Sequence, residues 1–430
     1  MNRNAVRAST RHQGIGSLLL GLVLGLWLPA ACAQTLEGLL QEVLRLHPTV
    51  QSRQATVRSR QASVDAANWQ YYPTPSVSSE RVSHSADDLS YGADSSVTTL
   101  RLQQPLWTGG RLSAQSSKAQ ADQRAAELGV IENQDQLAFD FVSAYGDWLG
   151  ASMKLQAATQ AMQTLQSLNE KMARRVEQSV SAQIDQELSL SRLRQQVSDI
   201  AQFRAMEQTA LSRLSRLLGR DISSTVMAGV VARKLDVPSL QVAVDHAQAR
   251  SPVLARLNAE AQAVQAEIDA RSATRYPELY LRLERQYGSF SYAATQPANR
   301  VFVGAQFSPG AGLSLQADIA AASARREGLL ADGLTAQRSI GDQVRVELVA
   351  QASLKERLEQ IEGTLQSALS VQQSYDRQFF AGRRSWLDLM NAERERAQVQ
   401  LQMADLQANL IVTSYRIAIL TQGGAGVSAP

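Results

Sequence analysis

The sequence is 430 residues long, 44% hydrophobic and only 5% aromatic, with a formal net charge of +3. That excess is matched by Arg3, Arg7 and Arg11 alone, so the rest of the chain is neutral and its charge balance gives no reason to expect nucleic acid. Cys32 is the only cysteine, which excludes a disulfide framework and a cysteine metal centre, and few aromatics on an Ala, Gln, Leu, Arg, Ser and Glu background favour long helices.

The first predicted element is a signal peptide over residues 1–33: a basic stretch, an apolar core over 18–28, and a small-x-small cleavage site at Ala31-Cys32-Ala33 before Gln34. An acylated Cys32 is the alternative, but Pro29 stands where a lipobox carries leucine. Beyond residue 33 no run of about 18 apolar residues occurs, so any passage through a membrane must be made with strands.

Residues 34–238 and 239–430 then repeat one plan. Leu36, Pro48 and Tyr72-Pro73 recur as Leu240, Pro252 and Tyr276-Pro277, each 204 positions on, while Gly110 matches Gly312 at 202 and Asp185 matches Asp388 at 203. In each copy a helix (36–69, 240–274) meets the Tyr-Pro breaker. Two strands follow, at about 76–104 in the first copy and 279–307 in the second. Leu279, Leu281 and Leu283 alternate with Tyr280, Arg282 and Glu284, and Val301, Val303, Ala305 and Phe307 with Phe302, Gly304 and Gln306, the period of a strand with one apolar side. Polar loops at 83–96 and 288–299 separate the strands of each pair.

The strand pairs lead into helical hairpins at about 110–218 and 312–421. Leu155, Ala158, Met162, Leu165, Asn169, Met172 and Val176 follow alternating spacings of 3 and 4, and Leu358, Ile361, Leu365, Ala368, Gln372, Tyr375 and Phe379 repeat the pattern 203 positions later. One such seam suits an ordinary buried stripe; two in register favour a shared coiled-coil wall. No proline interrupts 110–176, and a helix of that length reaches about 100 Å, longer than a globular core can use. The hairpins break at 179–183 and 381–385.

The expected fold is therefore mainly α with a small β part: two repeats of a β-hairpin carried on a long coiled-coil helical hairpin. Four strands cannot close a membrane barrel, for which about eight is the practical minimum. Three copies give twelve, and their hairpins extend the barrel as an α-helical tube.

The pattern resembles the TolC-like outer membrane factors over essentially the whole mature chain. The resemblance rests on the breaks His47-Pro48 and Ser251-Pro252, on Tyr72-Pro73 and Tyr276-Pro277, on Gln104-Pro105-Leu106-Trp107-Thr108-Gly109-Gly110-Arg111, and on Gly382-Arg383-Arg384-Ser385-Trp386-Leu387-Asp388-Leu389-Met390-Asn391-Ala392. It implies a homotrimer in outer membrane lipid, with a long periplasmic extension that docks on a periplasmic adaptor (a membrane fusion protein) and an inner-membrane transporter of ABC or RND type. The implied role is passive exit for type I protein secretion or multidrug efflux, without catalysis or cofactor.

Carried over by position, Asp388 and Asn391 match the lining of the periplasmic constriction, Asn391 departing from the acid that some members have there. Arg384, Phe379 and Asp185 match positions that tie neighbouring helices and keep the entrance closed, although Phe379 lacks the hydroxyl a tyrosine would supply. Ser179, Val180, Gly382 and Arg383 fall at the adaptor-contacting tips, Ser179 replacing a frequent glycine.

Plainer roles compete at each position. Asp185 and Asp388 follow helix starts, where carboxylates cap and complement the dipole, and Arg383 and Arg384 suit solvated surface. Tyr71, Tyr72, Trp107 and Tyr276 sit near strand ends, where aromatics mark membrane interfaces or pack locally. Phe141, Tyr145 and Trp148 share a helical face and are expected in the core. No phosphate-cradling loop, HExxH, nucleophile elbow or metal-ligand spacing occurs; Gly310-Ala311-Gly312 is an isolated turn, and His47, His84 and His246 read as cap or surface residues. A periplasmic adaptor or a coiled-coil scaffold is the alternative, but neither accounts for two copies of the strand pair.

Overall fold

The computed structural model describes residues 35–83, 93–233, 235–291, 298–312 and 314–428. The expected signal peptide with Cys32, and His84, lie outside them. Helix α1 (Leu36–Leu46) opens the chain, N-capped by Thr35. His47 breaks it from α2 (Pro48–Trp69): its backbone is extended, its ring Nδ1 accepts the Thr49 N–H at 3.3 Å, and Pro48 sits where a missing N–H costs nothing. Strands β1 (Thr74–Arg81) and β2 (Ser96–Trp107) follow, then the hairpin α3 (Arg111–Glu177) and α4 (Gln183–Leu218), and a short α5 (Ser224–Ala228). The second half repeats the order with α6 (Leu240–Arg250), α7 (Pro252–Ala273), β3 (Glu278–Tyr287), β4 (Ala298–Gln306), α8 (Ser314–Phe380) and α9 (Trp386–Gln422), ending in α10 (Gly424–Val427). Its break matches the first, Ser251 Oγ accepting the Leu254 N–H ahead of Pro252.

Helices α3 and α8 are each 67 residues long, about 100 Å at 1.5 Å per residue. Both seams face packing partners: Ala158, Leu165 and Met172 are buried, whereas most of the second seam is only half-buried, Phe379 excepted. Asn169 fits its seam because its Oδ1 accepts the buried Ser189 hydroxyl at 2.6 Å across the hairpin.

The four strands form one antiparallel sheet in the order β1-β2-β3-β4, so β2 and β3 join the two halves. Pro105, which has no N–H for the ladder, coincides with a register shift before Trp107.

The largest core lies about halfway along α3, where Leu36, Leu40, Phe141, Trp148, Leu214, Tyr415 and Ile419 bring α1, α3, α4 and α9 together. Phe141, Tyr145 and Trp148 belong to it, as expected. The buried Tyr415 donates to Glu37 Oε1 at 2.5 Å and accepts the Arg233 N–H at 2.8 Å; burial, then the Glu37 carboxylate, push its pKa up. Gly146 permits the close crossing of α3 and α9, since a Cβ there would stand 2.1 Å from Val412 Cγ2. A second core of Leu165, Leu168, Met172, Phe379, Trp386, Leu389 and Met390 lies at the far end.

Candidate functional site

Two regions carry the chemistry, the hairpin tips and the sheet. At the first tip Ser179 N–H bonds Val176 O at 2.9 Å and Val180 N–H bonds Arg175 O at 2.8 Å. At the second, Gly382 N–H bonds Phe379 O at 2.9 Å and Arg383 N–H bonds Gln378 O at 2.9 Å. Both are Schellman endings, which require left-handed backbone: φ is 58° at Ser179 and 70° at Gly382. The tips are thus alike in backbone, although serine holds the strained position in one and glycine in the other.

The return helices start differently. Ser385 Oγ accepts the Asp388 N–H at 3.1 Å and Asp388 Oδ2 accepts the Ser385 N–H at 3.4 Å, a reciprocal capping box. Ala182, the counterpart of Ser385, offers no such side chain, so Asp185 meets its helix start through dipole and position alone. Arg384 Nη1 lies 3.7 Å from Asp388 Oδ2, its Nε donates to Gln378 Oε1 at 3.4 Å, and its guanidinium covers the Tyr375 ring at 4.5 Å. Asn391 stands one turn beyond Asp388, half-buried. Phe379 is buried, its ring 5.0 Å from that of Trp386 and 5.2 Å beneath the Arg175 guanidinium, which also donates to Ser181 Oγ at 3.0 Å. Arg175 therefore ties the first tip to the end of α8. Val180, Gly382 and Arg383 are exposed at the extreme end.

The sheet has two unlike faces. The register places Val77, Leu100, Leu102, Leu281, Leu283, Val301 and Val303 on one side and Ser76, Thr99, Arg101, Gln103, Arg282, Glu284 and Arg300 on the other. In the single chain the apolar side is largely bare, Val301 being 69% and Val303 76% exposed. Tyr71, Tyr72, Trp107 and Tyr276 collect where strands meet helices, all exposed, with the Trp107 and Tyr276 rings edge to face at 6.0 Å. No described helix is long and apolar enough to cross a membrane.

The profile of the outer membrane efflux protein family matches residues 39–220 and 243–421, that is, both halves. The chain belongs to this family. No curated protein sequence matches it. Among solved structures it is similar to VceC from Vibrio cholerae (TM-score 0.78, 16% identity, covering 91% of this chain and 96% of that one). It is also similar to CusC (0.77, 17%, 90% and 92%), described as forming a transmembrane channel, and to the outer-membrane channel OprN (0.77, 18%, 92% and 91%). At these identities the likeness establishes the fold, that of outer-membrane efflux channels in which a sheet continues into a long helical tube. The chain is accordingly an outer-membrane protein with its helical hairpins in the periplasm.

Within this family fold, Asp388, Asn391, Arg384 and Phe379 lie together at one tip, with Asp185, Ser179 and Val180 at the other. Two features were not expected. Glu393 and Arg396, one turn apart on α9, form a buried ion pair with Arg396 Nε 3.0 Å from Glu393 Oε2; burial raises the Glu393 pKa against the lowering effect of Arg396. From sequence the two resemble any solvated helix pair. The other is a charge cluster on the polar side of the sheet, of which Arg282 and Glu284 were visible as the polar phase of an alternating strand, whereas Arg101 and Arg300 join them only through the pairing. A cleft of about 890 Å³ between α3, α7, α8 and α9 holds its own paired charges, Arg256 pairing with Glu132 at 2.6 Å and Glu260 at 2.8 Å.

Proposed function

We propose that three copies close a twelve-stranded barrel in the outer membrane and join their hairpins into a periplasmic tube. This trimer gives passive exit to cargo delivered by an inner-membrane transporter of ABC or RND type through a periplasmic adaptor, and it is no enzyme. The observation that carries this reading is the two-faced sheet: one exposed apolar side, one charged side, and two unpaired edge strands, β1 and β4. Lipid satisfies the first, a water-filled lumen the second, and closure with neighbouring copies the third. Type I protein secretion and multidrug efflux fit equally, since a passive tube takes its cargo from its transporter.

The gate is assigned to the tips. Asp388 and Asn391 line the constriction, Arg384, Phe379 and Asp185 hold it closed, and Ser179, Val180, Gly382 and Arg383 meet the adaptor; Tyr71, Tyr72, Trp107 and Tyr276 mark the periplasmic membrane interface. Three copies of Asp388 around one axis favour cations. Asp388→Asn removes the charge yet keeps a capping side chain, so it should lower cation preference in planar bilayers without loosening the tip. Arg384→Ser removes the contacts to Asp388, Gln378 and Tyr375 together and should raise the open fraction while the complex stays intact. Wild-type conductance and ion preference in both variants would move the constriction elsewhere and return both residues to capping and surface roles.

A further inference from the structure

The polar face of the sheet carries more cation than its neighbourhood neutralises. Glu284, its side chain 11% exposed, has three guanidinium groups around it: Arg101 Nε at 3.5 Å, Arg282 Nε at 3.6 Å and Arg300 Nη1 at 3.9 Å. The Nε atoms of Arg101 and Arg282 are buried without hydrogen-bond partners, so neither arginine is fully used by the carboxylate. One acid against three bases leaves two positive charges per chain.

Pairing arranges these charges in two adjacent rungs. Arg101, Glu284 and Arg300 stand opposite one another across β2, β3 and β4, and the next rung holds Gln103, Arg282 and Phe302. Arg282 lies over the Phe302 ring at 4.5 Å and the Tyr280 ring at 5.8 Å, and Arg300 Nη1 donates to Gln286 Oε1 at 2.8 Å. These contacts hold the guanidinium groups against the wall. The other acids of this face do not cancel the surplus: Glu278 is taken by Arg111 at 2.5 Å near the helices, and Glu80, near the end of β1, leaves the balance positive.

We propose that this cluster, repeated threefold in the closed barrel, forms a cationic girdle that binds anions carrying several oxyanion groups as they pass the membrane. The inference rests on the trimeric barrel proposed above. Guanidinium groups fixed in a low-dielectric wall focus field on a narrow lumen and present forked donors suited to phosphate or carboxylate. The girdle lies at the opposite end of the duct from Asp388, so the channel has two filters of opposite sign in series, and its ion preference depends on the side from which a solute enters.

The test is block of single-channel current by tripolyphosphate added to the barrel side of oriented channels. Wild type should be blocked reversibly, more weakly by monophosphate. Arg101→Gln with Arg300→Gln should weaken the block about ten-fold or more, and Arg300→Gln alone, which leaves Arg101 and Glu284 paired, should weaken it in part. Channels of normal conductance whose block is the same with and without the arginines would overturn the girdle while leaving the duct intact. Absence of any conductance from correctly assembled protein would overturn the channel reading and the girdle with it.

Discussion

Replacing Arg396 by alanine is expected to destabilise the folded chain by about 3–5 kcal/mol near neutral pH, the usual cost of stranding one member of a buried ion pair. Glu393 is 1% exposed and has Arg396 as its cationic partner. Burial already raises its pKa, and removing Arg396 takes away the influence that lowers it. An acid whose folded pKa lies above its unfolded value costs stability when ionised. That cost is absent below the unfolded value of about 4.3 and grows as pH rises toward the folded one. The deficit of Arg396→Ala should therefore be largest at neutral pH and shrink in acid. Adding Glu393→Gln should recover much of it, because a neutral amide is cheaper to bury than an unpaired carboxylate. Thermal melting of detergent-extracted protein at two pH values measures this. A deficit that is independent of pH and not rescued by Glu393→Gln would show that packing, not charge, dominates.

Phe141→Ala is expected to have a comparable effect, about 3–5 kcal/mol, through loss of apolar contact and the cavity left behind. Phe141 is 0% exposed at the meeting of α1, α3, α4 and α9. Helix α1 is short and depends on that cluster, with Leu36, Leu39, Leu40, Val43 and Leu44 all buried. Hydrogen exchange should accordingly accelerate in α1 and the last turns of α4, while the separate core around Trp386 and Leu389 keeps its protection. Equal loss at both cores would mean the tube unfolds as one cooperative unit, and unchanged exchange in α1 would mean that the Tyr415 and Glu37 tie holds it without Phe141.

Much of this fold is legible because it is written in local chemistry. Proline at 48 and 252 fixes where helices begin, Tyr-Pro at 72–73 and 276–277 fixes where they end, and the second tip break at 381–385 coincides with the observed one. The alternation of Leu279 to Leu283 with Arg282 and Glu284 assigns the two sides of β3 before any pairing is known. The repeat helps further, since a weak signal in one half is read against its counterpart in the other. What escaped depends on contacts distant in sequence. The pairing of β2 with β3 links residues more than 170 positions apart, and only that register gathers Arg101 and Arg300 beside Glu284. Glu393 and Arg396 look like a solvated pair until α9 packs on α3. Phe379 and Trp386 face each other because the chain reverses between them, which gives Phe379 a place in the tip core alongside the gating role proposed for it.

On the reading proposed here, the four strands of one chain close into a barrel only as a trimer. The native mass of the complex extracted from outer membranes in mild detergent tests it most directly. Three chains per particle are expected, with none of the protein running as a single folded chain. A stable monomer that keeps its sheet would contradict it, because the exposed Val301 and Val303 face and the open edges of β1 and β4 would then persist without partners.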